Sequence, residues 1–160
     1  MGTPAQSIWQ PSTARVVVVE GFGPYPHGTW QVAPAPLSWP VKDPGDVLDY
    51  VVDFSHALAG DSGDGIATLD VAIAPAGAAD LALQEMRADG ELAVIWMGAG
   101  VAGTTYAVTV VVGTTGGRTL SRTIALPVQT LSVPAPFGTA ITDQAGAPLT
   151  DQAHAPLTIR

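Results

Sequence analysis

The chain of 160 residues has no cysteine, which excludes a disulfide framework and a thiolate zinc site. It has one lysine, Lys42, and the six basic residues face fourteen acidic ones, for a net charge of −8. Direct nucleic-acid binding needs clustered Lys and Arg to meet phosphates, so this charge argues against that partner class. Charged residues make up 12% of the chain, against about 25% in ordinary soluble domains. No apolar run reaches the length of a membrane span, and residues 1–30 lack the basic-then-apolar order of a signal peptide. Within residues 1–30, Val16 to Val19 is an apolar run of four residues, a strand at most. Apolar residues are 47% of the total, which fits either an Ala- and Val-rich composition or surface reserved for neighbours.

The clearest signal present is the stretch 105–128, TYAVTVVVGTTGGRTLSRTIALPV. Tyr106, Val108, Val110 and Val112 recur at period two, and Leu120, Ile124, Leu126 and Val128 restart the alternation. Gly116 and Gly117 between them predict a tight turn with both glycines at positive φ. Arg122 interrupts the second apolar face, which puts it near the open end of the sheet. Further strands are predicted near 47–54, 66–73, 81–86 and 91–97. Leu48, Tyr50, Val52 and Phe54 should face inward with Asp49 and Asp53 outward. Leu69, Val71 and Ile73 should face inward with Asp70 outward, followed by Leu92, Val94 and Trp96 inward. The piece AADLALQEMRADG has helix-forming composition as well, and both readings stand on the residues alone. Half the acidic residues fall between Asp43 and Asp70; they form either a solvated strand face that discourages edge pairing or a contact surface for a basic partner.

Catalytic and ligand signatures are thin. Asp53, Ser55 and His56 adjoin in sequence, but successive positions on a strand point to opposite faces and cannot assemble a nucleophile relay. Asp61-Ser-Gly-Asp64-Gly has the composition of a calcium loop without the third oxygen donor or the closing Glu. His27, His56 and His154 share no ligand spacing. GAGVAG leads into a strand and lacks the dinucleotide fingerprint. The expectation is no catalytic residue, no cofactor and no metal.

The flanks differ from the middle. Residues 1–40 hold seven prolines and three of the four tryptophans, Trp9, Trp30 and Trp39. Proline at this density blocks helix and predicts an extended arm with one strand near Arg15–Glu20. Tryptophans on such an arm fit anchors docked on neighbours or on the chain's own sandwich. The tail repeats itself: TDQAGAPL at 142–149 and TDQAHAPL at 150–157 differ only at Gly146 and His154. A period of eight keeps Ile141, Leu149, Leu157 and Ile159 on one face of an extended chain, with turns at Asp143–Gly146 and Asp151–His154. Such a meander buries too little to stand alone. The candidate interface residues are therefore Trp9, Trp30, Trp39, Ile141, Leu149, Leu157 and Ile159. The expected organisation is an arm over 1–40, a β-sandwich over 41–131, and a second arm over 132–160.

Two resemblances sharpen this reading. GTTYAVTV is similar to the point in immunoglobulin-like and fibronectin type III sandwiches where a Tyr begins a late strand and ties the corner. The expected class is thus all-β, an immunoglobulin- or fibronectin type III-like sandwich with extended arms. The string KDPGDVLDYVVDFSHALAGD from Lys42, then IATLDV, then IWMGAGVAGTTYAVTVVVGTTGGRTLSRT to Thr123, resembles the phage fiber-tail adaptor family. The resemblance rests on Lys42, Asp43, Pro44, Leu48, Asp49, Tyr50, Asp53 and Phe54. It continues through Trp96, Met97, Gly98, Ala99 and Gly100 and closes on Thr114, Gly116, Gly117, Arg118 and Thr119. Phe54 stands where the family usually carries Trp, and the match fades outside 42–128. It favours strand over helix in 81–86. It implies a structural virion protein of a tailed phage, made in the host cytoplasm and placed at the tail or the portal–tail junction. Its implied partners are its own copies in a ring, portal or tail proteins and a tail fiber, with no catalytic residues. Capsid decoration, a baseplate role and a carbohydrate-binding module with Trp and Tyr platforms are the alternatives.

Overall fold

The computed structural model describes residues 11–21, 35–60 and 62–132. The chain divides into two compact units, Met1–Thr130 and Leu131–Arg160; only 131 and 132 of the second lie among the described residues. The first unit is a β-sandwich of two mixed four-stranded sheets. Its strands are β1 (Val16–Val18), β2 (Leu37–Ser38), β3 (Leu48–Asp53), β4 (Ile66–Ala74), β5 (Leu81–Asp89), β6 (Leu92–Ala99), β7 (Thr105–Thr114) and β8 (Thr119–Pro127). A single helical turn, α1 (Ser55–Leu58), follows β3.

One sheet runs β1-β3-β6-β5 and the other β2-β8-β7-β4. Pairing is antiparallel between β3 and β6, β5 and β6, β4 and β7, and β7 and β8. The two short strands from the first 40 residues pair parallel, β1 on β3 and β2 on β8. They cap the same side of the sandwich from which β3 and β8 would otherwise present open edges. The long strands β4 and β5 form the edges on the opposite side.

The alternation in β7 holds along its length: Tyr106, Val108, Val110 and Val112 are fully buried and face Leu120, Ile124 and Leu126 of β8 across the hairpin core. From the other sheet, Tyr50, Val52 and Phe54 point to the same interior, and Leu69, Val71 and Ile73 of β4 pack against it while half exposed. Residues 81–89 are strand rather than helix, laddered antiparallel on β6 along their length.

Two expectations about side-chain direction are corrected. In β6 the inward residues are Ala93, Ile95 and Met97, and not Leu92, Val94 and Trp96. Every residue from Leu92 to Met97 is apolar, so alternation carries no sign there. Register decides it: Met97, Ile95 and Ala93 lie opposite Leu48, Tyr50 and Val52, and directly paired residues share a face. Val94 is buried too, opposite Val51 on the other face. Arg122 lies opposite Val110, midway along the hairpin, rather than near an open end. It escapes the interior by turning its guanidinium onto the Ser121 carbonyl at 2.8 Å.

Candidate functional site

The two ends of β7 carry the polar groups that fix loop geometry. At the Thr105 end the central residue is Lys42, which is fully buried. Its backbone is seated first: the Lys42 N–H donates to the Pro127 carbonyl at 3.0 Å and the Gln129 N–H donates to the Lys42 carbonyl at 2.9 Å. The ammonium then donates to the carbonyls of Asp43 (2.7 Å) and Ala99 (2.8 Å). Burial pulls its pKa below the ordinary lysine value, with Asp46 and Asp43 pulling the other way. The carbonyl it reaches belongs to a strained residue: Ala99 has φ 58° and Gly100 has φ 108°. A side chain pays for left-handed backbone that glycine adopts freely.

Tyr106 holds the same loop from inside. Its hydroxyl accepts from the Val101 N–H at 2.9 Å and donates to Asp80 Oδ1 at 2.8 Å. A neighbouring tyrosine, Tyr50, has a buried hydroxyl with no hydrogen-bond partner. Burial pushes its pKa up to about 12, with Asp46 and Asp49 adding to the effect and Arg15 opposing it. The Arg15 guanidinium lies 5.9 Å from the centre of the Tyr50 ring and reaches Asp49 Oδ1 at 2.6 Å. Asp49 Oδ2 accepts from the Ser12 N–H at 2.8 Å. Burial alone would raise the Asp49 pKa, but these hydrogen bonds hold it below the usual value. The pair ties the first strand's approach to the outer face of β3.

At the Thr114 end the hairpin closes as a type I turn with a left-handed glycine. The Gly117 N–H donates to the Thr114 carbonyl at 3.0 Å, the Thr114 N–H to the Arg118 carbonyl at 2.8 Å, and Gly117 has φ 80°. Gly116 is not at positive φ as expected; its need is space. A Cβ there would stand 2.5 Å from Arg118 Nη1 and 3.0 Å from an Asp64 carboxylate oxygen. Asp64 Oδ1 accepts from the Gly116 N–H (2.7 Å) and the Thr115 hydroxyl (2.8 Å), and Oδ2 accepts from Arg118 Nη1 (2.8 Å). Burial would raise the Asp64 pKa, yet bonds from Gly116, Thr115, Thr114 and Arg118 hold it far below the usual carboxylate range. The carboxylate is thus a staple between the 62–65 loop and the hairpin. It lines one open hollow with Gly60, Ser62, Thr115 and Gly116.

Of the candidate interface residues, Trp39 lies among the described residues. It is 2% exposed, its ring centroid is 5.2 Å from that of Tyr50, and its indole N–H donates to the Val51 carbonyl at 3.3 Å. Its ring is occupied within the chain's own sandwich. Trp9, Trp30, Ile141, Leu149, Leu157, Ile159 and both octads lie outside the described residues, as do His27, Asp61 and His154. The strand ends at Asp53, so Ser55 and His56 sit on α1 rather than on a strand. There Asp53 Oδ1 accepts from the Ser55 N–H at 2.8 Å and acts as a turn former. Among the described residues no group of three His, Cys, Asp or Glu could hold a metal, and no helix is long and apolar enough to cross a membrane.

Sequence reasoning missed what Lys42 and Asp64 do. Lys42 was visible as a motif residue, and nothing local marks a lysine between Val41 and Asp43 as buried. The partners of Asp64 lie more than fifty positions away.

These are the features of a scaffold: a β-sandwich whose motif residues hold loops and whose polar groups serve one another. Residues 42–127 match the family model described as podophage GP4 fiber-tail adaptor protein gp77. The chain belongs to this family of phage tail structural adaptors. The first and last residues of the matched span are joined to each other, Lys42 to Pro127, so the family unit closes on itself. No curated protein matches the chain.

Proposed function

We propose that this chain joins the portal or tail of a tailed-phage particle to its fibers, as a structural and not a catalytic component. The sandwich serves as the rigid body, the terminal segments serve as clamps, and copies assemble into a ring. The protein is made in the host cytoplasm and resides at the portal–tail junction. The observation that carries this reading is the family match over 42–127. It leaves the Pro- and Trp-rich segment and the octad tail outside the shared unit, free to be specific to one particle. The strand order supports an immunoglobulin-like sandwich within that role. In chain order, β3, β6 and β5 take the places of strands B, E and D, and β8, β7 and β4 those of G, F and C, in the constant-type arrangement. Tyr106 at the start of β7 agrees with it.

The test is removal of residues 132–160 followed by particle assembly. The truncated chain should keep its β circular dichroism and be lost from particles; undiminished incorporation rules out clamping by the tail. A symmetry-resolved density map of the particle should place a ring of copies between tail and fiber, and density on the capsid lattice would replace this role by decoration.

A further inference from the structure

The two sides of the sandwich are finished differently, and the unfinished one points to a second copy of the chain. On one side β1 and β2 cover β3 and β8. On the other, β4 and β5 are nine-residue edge strands, each laddered on one side among the described residues. An edge of that length offers a row of backbone donors and acceptors to another strand. In β5 every residue from Leu83 to Asp89 is exposed, and Leu83 (37%) and Met86 (39%) are among the few large apolar side chains that are. The half-buried Leu69, Val71 and Ile73 of β4 belong to the same side.

We propose that β5 pairs antiparallel with β5 of a second copy about a two-fold axis at Met86. The charge order selects both partner and register. Centred on Met86, each Glu85 lies opposite the partner copy's residue 87, an arginine, so two opposite-charge pairs flank a Met–Met contact. Centred on residue 85 or 87, like charges meet on the axis. Centred on residue 88, Arg87 meets Asp89, but Glu85 meets Glu91 and the strand ends at Asp89. The bulge between Leu83 and Glu85 leaves residues 85–87 as the regular part of this register, because Ala88 and Asp89 fall opposite the bulge of the second copy. Arg87 already engages another group, and a guanidinium with five N–H donors can serve two acceptors. An isologous contact of this kind is self-complementary and closed. It goes beyond the adaptor reading and does not depend on it.

Because the chain has no cysteine, a single introduced thiol reports its own neighbour. Residues opposite each other on the axis have Cα atoms about 5 Å apart, within disulfide reach. With the axis at Met86, two copies of residue 88 are offset by four residues, about 13 Å. Oxidised full-length M86C should therefore run as a covalent dimer and A88C as a monomer. In sedimentation equilibrium the unmodified chain should dimerise, E85R or R87E alone should weaken that by roughly tenfold or more, and the double exchange E85R/R87E should restore it. Circular dichroism on each variant separates lost pairing from lost folding. A monomeric wild type, crosslinking through A88C instead of M86C, or single reversals that change nothing would each overturn the proposal.

Discussion

The two ends of β7 are held by single ionisable side chains of opposite sign, and the contrast shows how differently a cation and an anion stabilise a loop. Lys42 is buried and donates hydrogen bonds to two carbonyls; Asp64 lines an open hollow and accepts hydrogen bonds from a backbone N–H, a hydroxyl and a guanidinium. Desolvation dominates at the first site and lowers the lysine pKa, disfavouring its charge. Hydrogen bonding wins at the second and favours the carboxylate. One end therefore holds a charge at a cost, and the other is strengthened by its charge.

The largest effect should come from breaking the Lys42 end. Lys42→Met leaves the carbonyls of Asp43, which is buried, and Ala99, which is exposed, without their donor, and should cost about 1–3 kcal/mol for the one buried group left unpaired. Urea unfolding should show the loss, and an unchanged midpoint would mean that water replaces the ammonium. Tyr106→Phe removes two hydrogen bonds, one to Val101 of the same loop and one to Asp80, and should cost about 1–3 kcal/mol in total, with faster hydrogen exchange at Val101 as its local signature.

The hairpin end is sharpened by pH. The folded-state pKa of Asp64 lies below its ordinary value of 3.8, so its stabilisation is complete above that value and is lost as pH falls through the folded value. Asp64→Asn should lower the thermal midpoint at neutral pH and flatten the acid limb of stability against pH. Lys42 gives a slope of the same sign in the alkaline range, because there the uncharged form is the one the fold favours. Its folded pKa is below 10.5, so the unfolded chain binds the extra proton between the two values, and rising pH adds stability through this group. Alkaline loss should instead come from Tyr50, whose ionisation is deferred to about pH 12 in the fold but begins near 10 in the unfolded chain. A Tyr50→Phe variant should remove that decline.

The smallest effect has the reverse sign. Ala99→Gly relieves left-handed strain next to the Lys42 contact and should stabilise by about 1 kcal/mol, offset in part by the added freedom of glycine when unfolded. A destabilised variant would show that the Ala99 methyl contributes packing that outweighs the strain.

How much of this was legible follows from the range of each interaction. The β7–β8 hairpin could be read because its alternation, turn and partner lie within 25 residues. The parity of β6 could not, since an all-apolar strand takes its direction from Tyr50 and Val52 across the sheet. Gly116 reads in sequence as a φ requirement, because its need for small size appears only when the folded hairpin brings Arg118 Nη1 and the distant Asp64 carboxylate against it. Edge strand β2 was missed for a related reason: Leu37–Ser38 is too short to show a period, and its pairing with Ile124 and Ala125 is wholly tertiary. The hydroxyl of Tyr106 accepts from the Val101 N–H, a bond that the alternation of β7 by itself does not announce.

The burial of Lys42 also makes it a chemical clock. It is the sole lysine of the sequence and is fully shielded, so acylating reagents meet no lysine amine while the sandwich is closed. The rate at which Lys42 becomes modified measures how often this end of the molecule opens, in the isolated chain or in an assembly, without any engineered label.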